Sequence, residues 1–135
     1  MSAEHVEAMS PPGVGVDLVG VAAFRARLEG RDGLLGSVFR EAELAYCLAQ
    51  ARPWMHLAAR FAAKEAALKA LGSGLAGAMS WQDIEITRDE AGVPGLVFHG
   101  AVAERFARAG LRPASVSLSH TTDHAIAVVW LVPAS

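Results

Sequence analysis

Arg60, Lys64, Glu65 and Lys69 fall in one short segment and hold much of the chemistry this sequence offers. Advancing about 100° per residue puts Leu57, Phe61, Leu68 and Leu71 in one helical stripe. Lys64 lands inside that stripe and Glu65 at its edge. Arg60 and Lys64 are then a like-charged i,i+4 pair, unfavourable by about a few tenths of a kcal/mol in isolation. Helix stability does not ask for such a pair, and an anion docked beside the helix would explain it. Glu65 and Lys69 are also i,i+4, with Glu on the N-terminal side, and on spacing alone they read as a surface salt bridge.

Asp17 is a second candidate. Aspartate is depleted in strands, so either its face is solvated or its carboxylate binds something. Glu65 could supply a second carboxylate. One or two carboxylates plus substrate phosphates are the usual setting for Mg²⁺. Gly72-Ser73-Gly74 reads either as a helix cap and turn or as a backbone that a ligand approaches closely. It is not a Walker A loop. Ser117, Ser119 and His120 close a strand. His120 and His124 have the spacing of a zinc pair, but they bracket a turn and no third ligand is placed to help. His120 therefore reads as a turn residue or a hydrogen-bonding partner.

These residues need elements to hold them. Gly13–Val19 alternates Val14, Val16 and Leu18 against Gly15 and Asp17, a strand pattern. Val21–Glu29 is amphipathic, and Gly30 stops it. Gly33 and Gly36 mark a loop. Phe39–Gln50 is a second helical segment. Pro53 opens the strongest helix, which runs to Gly72. Trp81–Arg88 and Pro94–His99 are strands around an Asp89–Gly92 turn. Gly100–Gly110 is an amphipathic helix. Ala114–Ser119 and His124–Val132 are the last two strands. The order is one strand, three helices, two strands, a helix and two strands, hence an α+β domain with a mainly antiparallel sheet. Ser10-Pro11-Pro12-Gly13 is a breaker cluster. It divides an expected flexible extension, residues 1–12, from a single domain over 13–133.

The chain has 135 residues, 53% apolar and 19% charged. That is enough to bury one core, and it excludes disorder for most of the chain. A formal net charge of -2 argues against a broad grip on nucleic acid. Met1–Pro12 lacks the apolar run of a secretory signal, and Ala125–Val132 is too short to span a bilayer. A single cysteine, Cys47, suits a reducing compartment and reads as a small buried apolar residue. A cytoplasmic location without membrane attachment is expected. Trp54, Trp81 and Trp130 are expected in the core or at an interface.

Together, Gly13–Val19 (GVGVDLV), Arg60–Ala66 (RFAAKEA), Lys69, Gly72–Gly74, Trp81–Glu85 (WQDIE) and Ser117–Thr121 (SLSHT) resemble the small class of the 4′-phosphopantetheinyl transferase superfamily. The likeness runs in order over about Gly13 to Val132. It implies that fold, with a single pseudo-repeat per chain, and Mg²⁺-dependent transfer of 4′-phosphopantetheine from coenzyme A to a serine of an acyl carrier protein. Asp17 and Glu65 match the family's Mg²⁺ ligands. Lys69 matches a lysine placed on the phosphates. Glu65, directly or through water, is the candidate base for the carrier serine. Arg60, Lys64 and His120 resemble positions that hold coenzyme A phosphates, including the 3′-phosphate. Gly72, Ser73 and Gly74, with Ser119 and Thr121, complete the expected coenzyme A contacts. Larger relatives resemble two such units in one chain with the site between them. The resemblance therefore implies a homotrimer with sites at the subunit interfaces.

The chain departs from the family where the carrier protein is expected to dock. Gly20 replaces a frequent Glu. Ala22, Ala23, Gly30 and Gly33 stand where basic residues are common, leaving Arg25, Arg27 and Arg31. Ser37 and Arg40 replace a frequent Arg and Thr. The partner expected is a carrier of fatty acid or polyketide type with an altered surface. A nonenzymatic coenzyme A-binding scaffold is the alternative reading, and a generic Mg²⁺-dependent pyrophosphate hydrolase a third.

Overall fold

The computed structural model describes residues 13–134, apart from the side chain of Ala114. The expected extension at 1–12 lies outside them. Five strands and five helices follow in the order β1 (Val14–Gly20), α1 (Val21–Leu28), α2 (Asp32–Val38), α3 (Glu41–Leu48), α4 (Pro53–Leu71), β2 (Ile84–Arg88), β3 (Pro94–Phe98), α5 (Gly100–Ala109), β4 (Leu111–His120) and β5 (His124–Pro133). The fold is α+β. Every strand pairing is antiparallel, in a three-stranded sheet of order β1-β5-β4 and a two-stranded sheet β2-β3.

Helix α4 is the axis of the molecule. Ala62, Ala63, Ala66 and Ala67 are fully buried, and these small side chains let both sheets close on the helix. Leu68, Ile84, Ile86, Val102, Phe106, Val129 and Leu131 fill the core around them. A second cluster joins Val21, Phe24 and Leu28 of α1 to Leu35, Phe39, Cys47 and Leu57. Helix α4 ends at Gly72, whose φ of 82° is left-handed. Ser73 N–H donates to the Leu68 carbonyl at 3.0 Å, closing the turn expected of glycine at that position.

Three local expectations change. The Gly33–Gly36 segment is helix α2, not a loop. Two helical glycines cost about 1 kcal/mol each. Burial of Leu35, Val38 and Phe39 contributes about 1.5–3 kcal/mol per side chain and outweighs them. Gln82 reaches across to donate to the Gly36 carbonyl at the end of α2. Trp81–Asp83 is a 3-10 turn, and the strand starts only at Ile84. β4 begins at Leu111, with a register shift between Pro113 and Ser115; an edge strand tolerates the proline there.

The apolar side of β1 faces outward. Val14, Val16 and Leu18 are 50–63% exposed. They pair with Trp130, Val128 and Ile126 of β5, which are also exposed. The result is a continuous apolar strip on the open face of the sheet, bordered by Ser115, Ser117 and Ser119 of β4. Trp54 and Trp81 are half-buried.

Candidate functional site

Strand β1 lies directly on the backbone of α4. A Cβ built on Gly15 would overlap the Ala66 carbonyl, and one on Gly13 the Ala70 carbonyl. Two residues past Gly15, Asp17 therefore points at the helix and is only 9% exposed. Its Oδ1 accepts a hydrogen bond from Lys69 Nζ at 2.7 Å. That contact overturns the i,i+4 expectation, because Lys69 turns to Asp17 and its salt bridge is not with Glu65. The neighbouring carboxylate holds the Lys69 ammonium above its usual pKa. Glu65 is half-buried one turn before Lys69. Burial, and then the nearby charge of Asp17, push its carboxyl above the ordinary carboxylate range. Asp17, Glu65, Phe61, Gly20, Ala23 and Arg27 line one hollow of about 240 Å³. Sequence reasoning placed Gly20, Ala23 and Arg27 on the docking side only. The structure puts all three at the carboxylates.

The donor set fits a hard divalent cation. Two carboxylates sit close enough for Asp17 to raise the pKa of Glu65, a repulsion that such a cation relieves. Among the described residues no group of three or more His, Cys, Asp and Glu is gathered for a metal, so a cation held by these two carboxylates would need further oxygens from substrate or water.

Lys64 does not reach the surface as the expected phosphate contact would. It is fully buried, and its ammonium donates to Glu43 Oε1 at 2.9 Å, to the Trp81 carbonyl at 3.1 Å and to the Ile84 carbonyl. An ammonium has three protons to donate, and all three are used. Glu43 is equally committed, accepting also from the N–H groups of Arg40 at 2.9 Å and Ile86 at 3.0 Å. The like-charged Arg60–Lys64 pair is thus resolved on the Lys64 side by an internal carboxylate, not a docked anion.

Arg60 lies elsewhere on the helix. It is 2% exposed, its guanidinium sits 4.4 Å from the centre of the Tyr46 ring, and its Nε has no hydrogen-bond partner. The His120 ring lies 5.2 Å from that of His56, one turn before Arg60. Ser119 is exposed beside the apolar strip. Thr121 Oγ1 accepts from the N–H groups of Asp123 and His124, closing the β4–β5 turn. Ser73 Oγ donates to the Gly74 carbonyl at 2.9 Å, just past the end of α4.

The expected site residues thus form two groups. Asp17, Glu65 and Lys69, with Gly72–Gly74 following, make one. Arg60, His120 and their neighbours make the other. Lys69 lies nine positions after Arg60, which puts them about 180° apart around α4. Tyr46, His56 and Arg88, which border Arg60, escaped the sequence reading. Only His56, four residues before Arg60 on the same helical face, left a local signal.

The fold and its relatives define the class. The chain belongs to the 4′-phosphopantetheinyl transferase superfamily, whose family model matches residues 13–129. Within that superfamily its relatives are more specific. The holo-[acyl-carrier-protein] synthase of Moorella thermoacetica is 46% identical over 114 residues, 84% of this chain and 88% of that protein. Among solved structures, the holo-[acyl-carrier-protein] synthase of Neisseria meningitidis superposes with a TM-score of 0.78 at 32% identity, covering 88% of this chain and 96% of its own. The ACPS–CoA complex of Chronobacterium ammoniagenes superposes with a TM-score of 0.80 at 29% identity, covering 90% and 97%.

Proposed function

We propose that this chain is a holo-[acyl-carrier-protein] synthase, transferring 4′-phosphopantetheine from coenzyme A to a serine hydroxyl of an acyl carrier protein. The observation that carries the reading is the Asp17–Lys69 contact at 2.7 Å, with Glu65 in the same hollow. The serine oxygen bonds to the phosphorus that bears pantetheine. The bond from that phosphorus to the bridging pyrophosphate oxygen breaks, releasing adenosine 3′,5′-bisphosphate. Such a reaction needs positioning and charge neutralisation more than covalent help from the protein. Glu65, its carboxyl already pushed up by burial, takes the serine proton. Lys69, half-exposed and tethered by Asp17, meets the charge developing on the departing phosphate. Asp17 and Glu65 are the residues that would hold Mg²⁺, which when bound supplies charge neutralisation on the pyrophosphate. Arg60 and His120 take the 3′-phosphate, and Gly72–Gly74, Ser119 and Thr121 approach the rest of the nucleotide.

The two residue groups sit on opposite sides of α4, so one coenzyme A reaches both most directly when two copies of the chain meet. The apolar strip of Val14, Val16, Leu18, Ile126, Val128 and Trp130 offers a surface for that meeting. Association as a homotrimer, as the resemblance implies, joins the Asp17 side of one copy to the Arg60 side of the next. The carrier docks over α1. Arg27 at the mouth of the carboxylate hollow and Arg31 supply positive charge there, while Gly20 and Ala23 leave room. Among the described residues no helix is long and apolar enough to cross a membrane. The reaction belongs in the cytoplasm, where the single cysteine stays reduced.

Incubation with coenzyme A, Mg²⁺ and a panel of fatty acid and polyketide carriers tests this by mass spectrometry. At least one carrier is expected to gain a single phosphopantetheine, and Asp17→Ala or Glu65→Ala to abolish the gain. Full activity in both variants would refute the site. Tight coenzyme A binding without transfer to any carrier would leave only a scaffold.

A further inference from the structure

Arg60 is not alone against Tyr46. The Arg88 guanidinium lies 4.5 Å from the centre of the same ring. The Tyr46 ring meets His56 edge to face at 6.0 Å, and His56 meets His120 at 5.2 Å. A chain of contacts between planar groups thus runs from β2 through α3 and α4 to the end of β4. Four of its five members are cations or bases.

The fold does little to neutralise them. Glu43 and Glu85 line the same hollow of about 320 Å³ as Tyr46, Arg60 and Arg88. Glu43 is committed to Lys64 and two backbone amides, and Glu85 Oε1 is 2.8 Å from His99 Nε2. Among the described residues, the side-chain Nε of Arg60 is the buried polar atom left without a partner. A buried N–H lacking an acceptor is costly, and an anion reaching it would remove that cost. Burial first, and then His120, Arg60 and Arg88, hold the His56 imidazole below its ordinary pKa. His56 therefore has room to take up a proton when negative charge arrives.

We propose that Arg88 and His56 complete the anion seat begun by Arg60 and His120, and that this seat selects a phosphate monoester dianion. Arg88 is a second guanidinium contact. His56 is a positioning residue that holds the His120 ring and couples binding to proton uptake. A phosphate monoester offers near-double charge and three acceptor oxygens, matching this donor set. The assignment deepens the reading above, in which that group is the 3′-phosphate of coenzyme A.

Calorimetric binding of adenosine 3′,5′-bisphosphate and adenosine 5′-monophosphate to the full chain at pH 6, 7 and 8 tests the seat without turnover. The wild type is expected to prefer the bisphosphate, increasingly so as pH falls. Arg88→Gln, at an exposed position, should cut the preference by about two- to fivefold at every pH, the size of one screened charge contact. His56→Phe keeps a ring against Tyr46 and His120 but should flatten the pH dependence. The ligand's own ionisation near about pH 6 is common to all variants, so their difference from wild type isolates the protein. Wild-type preference in both variants at every pH would overturn the proposal. A chain that discriminates the ligands yet modifies no carrier keeps the seat and loses the transferase reading. A chain that modifies carriers without discriminating loses the seat alone.

Discussion

The Lys64 ammonium lies 2.9 Å from Glu43 Oε1, and both side chains are closed off from solvent. The pair ties α4 to α3, and through the Ile86 amide to β2. That buried tie separates it from the more open cations around it.

Removing one partner of a buried pair strands the other, at a cost of about 3–5 kcal/mol. Lys64→Ala is therefore expected to lose that much stability in denaturant titration. Where the variant remains folded, its KM for coenzyme A should change less than that of Arg60→Ala. A Lys64→Ala protein as stable as wild type but with a raised KM would return Lys64 to the phosphates.

Glu65 trades stability for chemistry. Its pKa is raised in the folded state, so at neutral pH its charge opposes folding. Glu65→Gln should raise the melting temperature at pH 7 by roughly 1–4 °C while abolishing transfer. The sign of the linkage fixes the window. The gain should shrink as pH falls toward and below the ordinary carboxylate value of 4.5, where Glu65 is neutral in both states. A variant less stable than wild type at pH 7 contradicts this.

Sites shared between copies can be complemented. Lys69→Ala and Arg60→Ala should each be strongly impaired alone. Exchanging subunits of the two in equal amounts should restore up to about a quarter of wild-type activity, since random neighbours pair two intact halves in about one site of four. No recovery after verified exchange would place each whole site within one chain.

Cys47 is fully buried, and burial pushes its thiol up to about 11. The native protein should resist a thiol reagent at pH 8 and react with one equivalent once unfolded. Rapid native labelling would show that α3 opens readily.

Residue type singled out Asp17, an aspartate in a strand, but Glu65 and Lys69 read on spacing alone as a surface salt bridge, and only the family resemblance set the three together. The sequence misled at Lys64, since periodicity places a residue on a stripe without saying what the stripe packs against. Glu43, more than twenty positions earlier, decides that. It misled at Gly33 and Gly36, where tertiary burial of Leu35 and Phe39 overrides glycine's local preference. Tyr46 and Arg88 carried no local signal, because they meet Arg60 only after α3 and β2 pack on α4. The β1 alternation announced a strand but not its polarity. The apolar side turned out to be the open one, because Gly13 and Gly15 have no side chains to hold the other face off the helix.

That glycine side sets how the site tolerates change. The position of Asp17 against α4 is fixed by main chain lying on main chain at Gly15 and Ala66, not by interlocking side chains. Residues around the hollow, such as Ala23 and Arg27, are therefore free to change without shifting the carboxylates. A single methyl group at Gly15 would move them both apart. Evolvability and fragility in this protein are thus assigned to different atoms a few ångströms from each other.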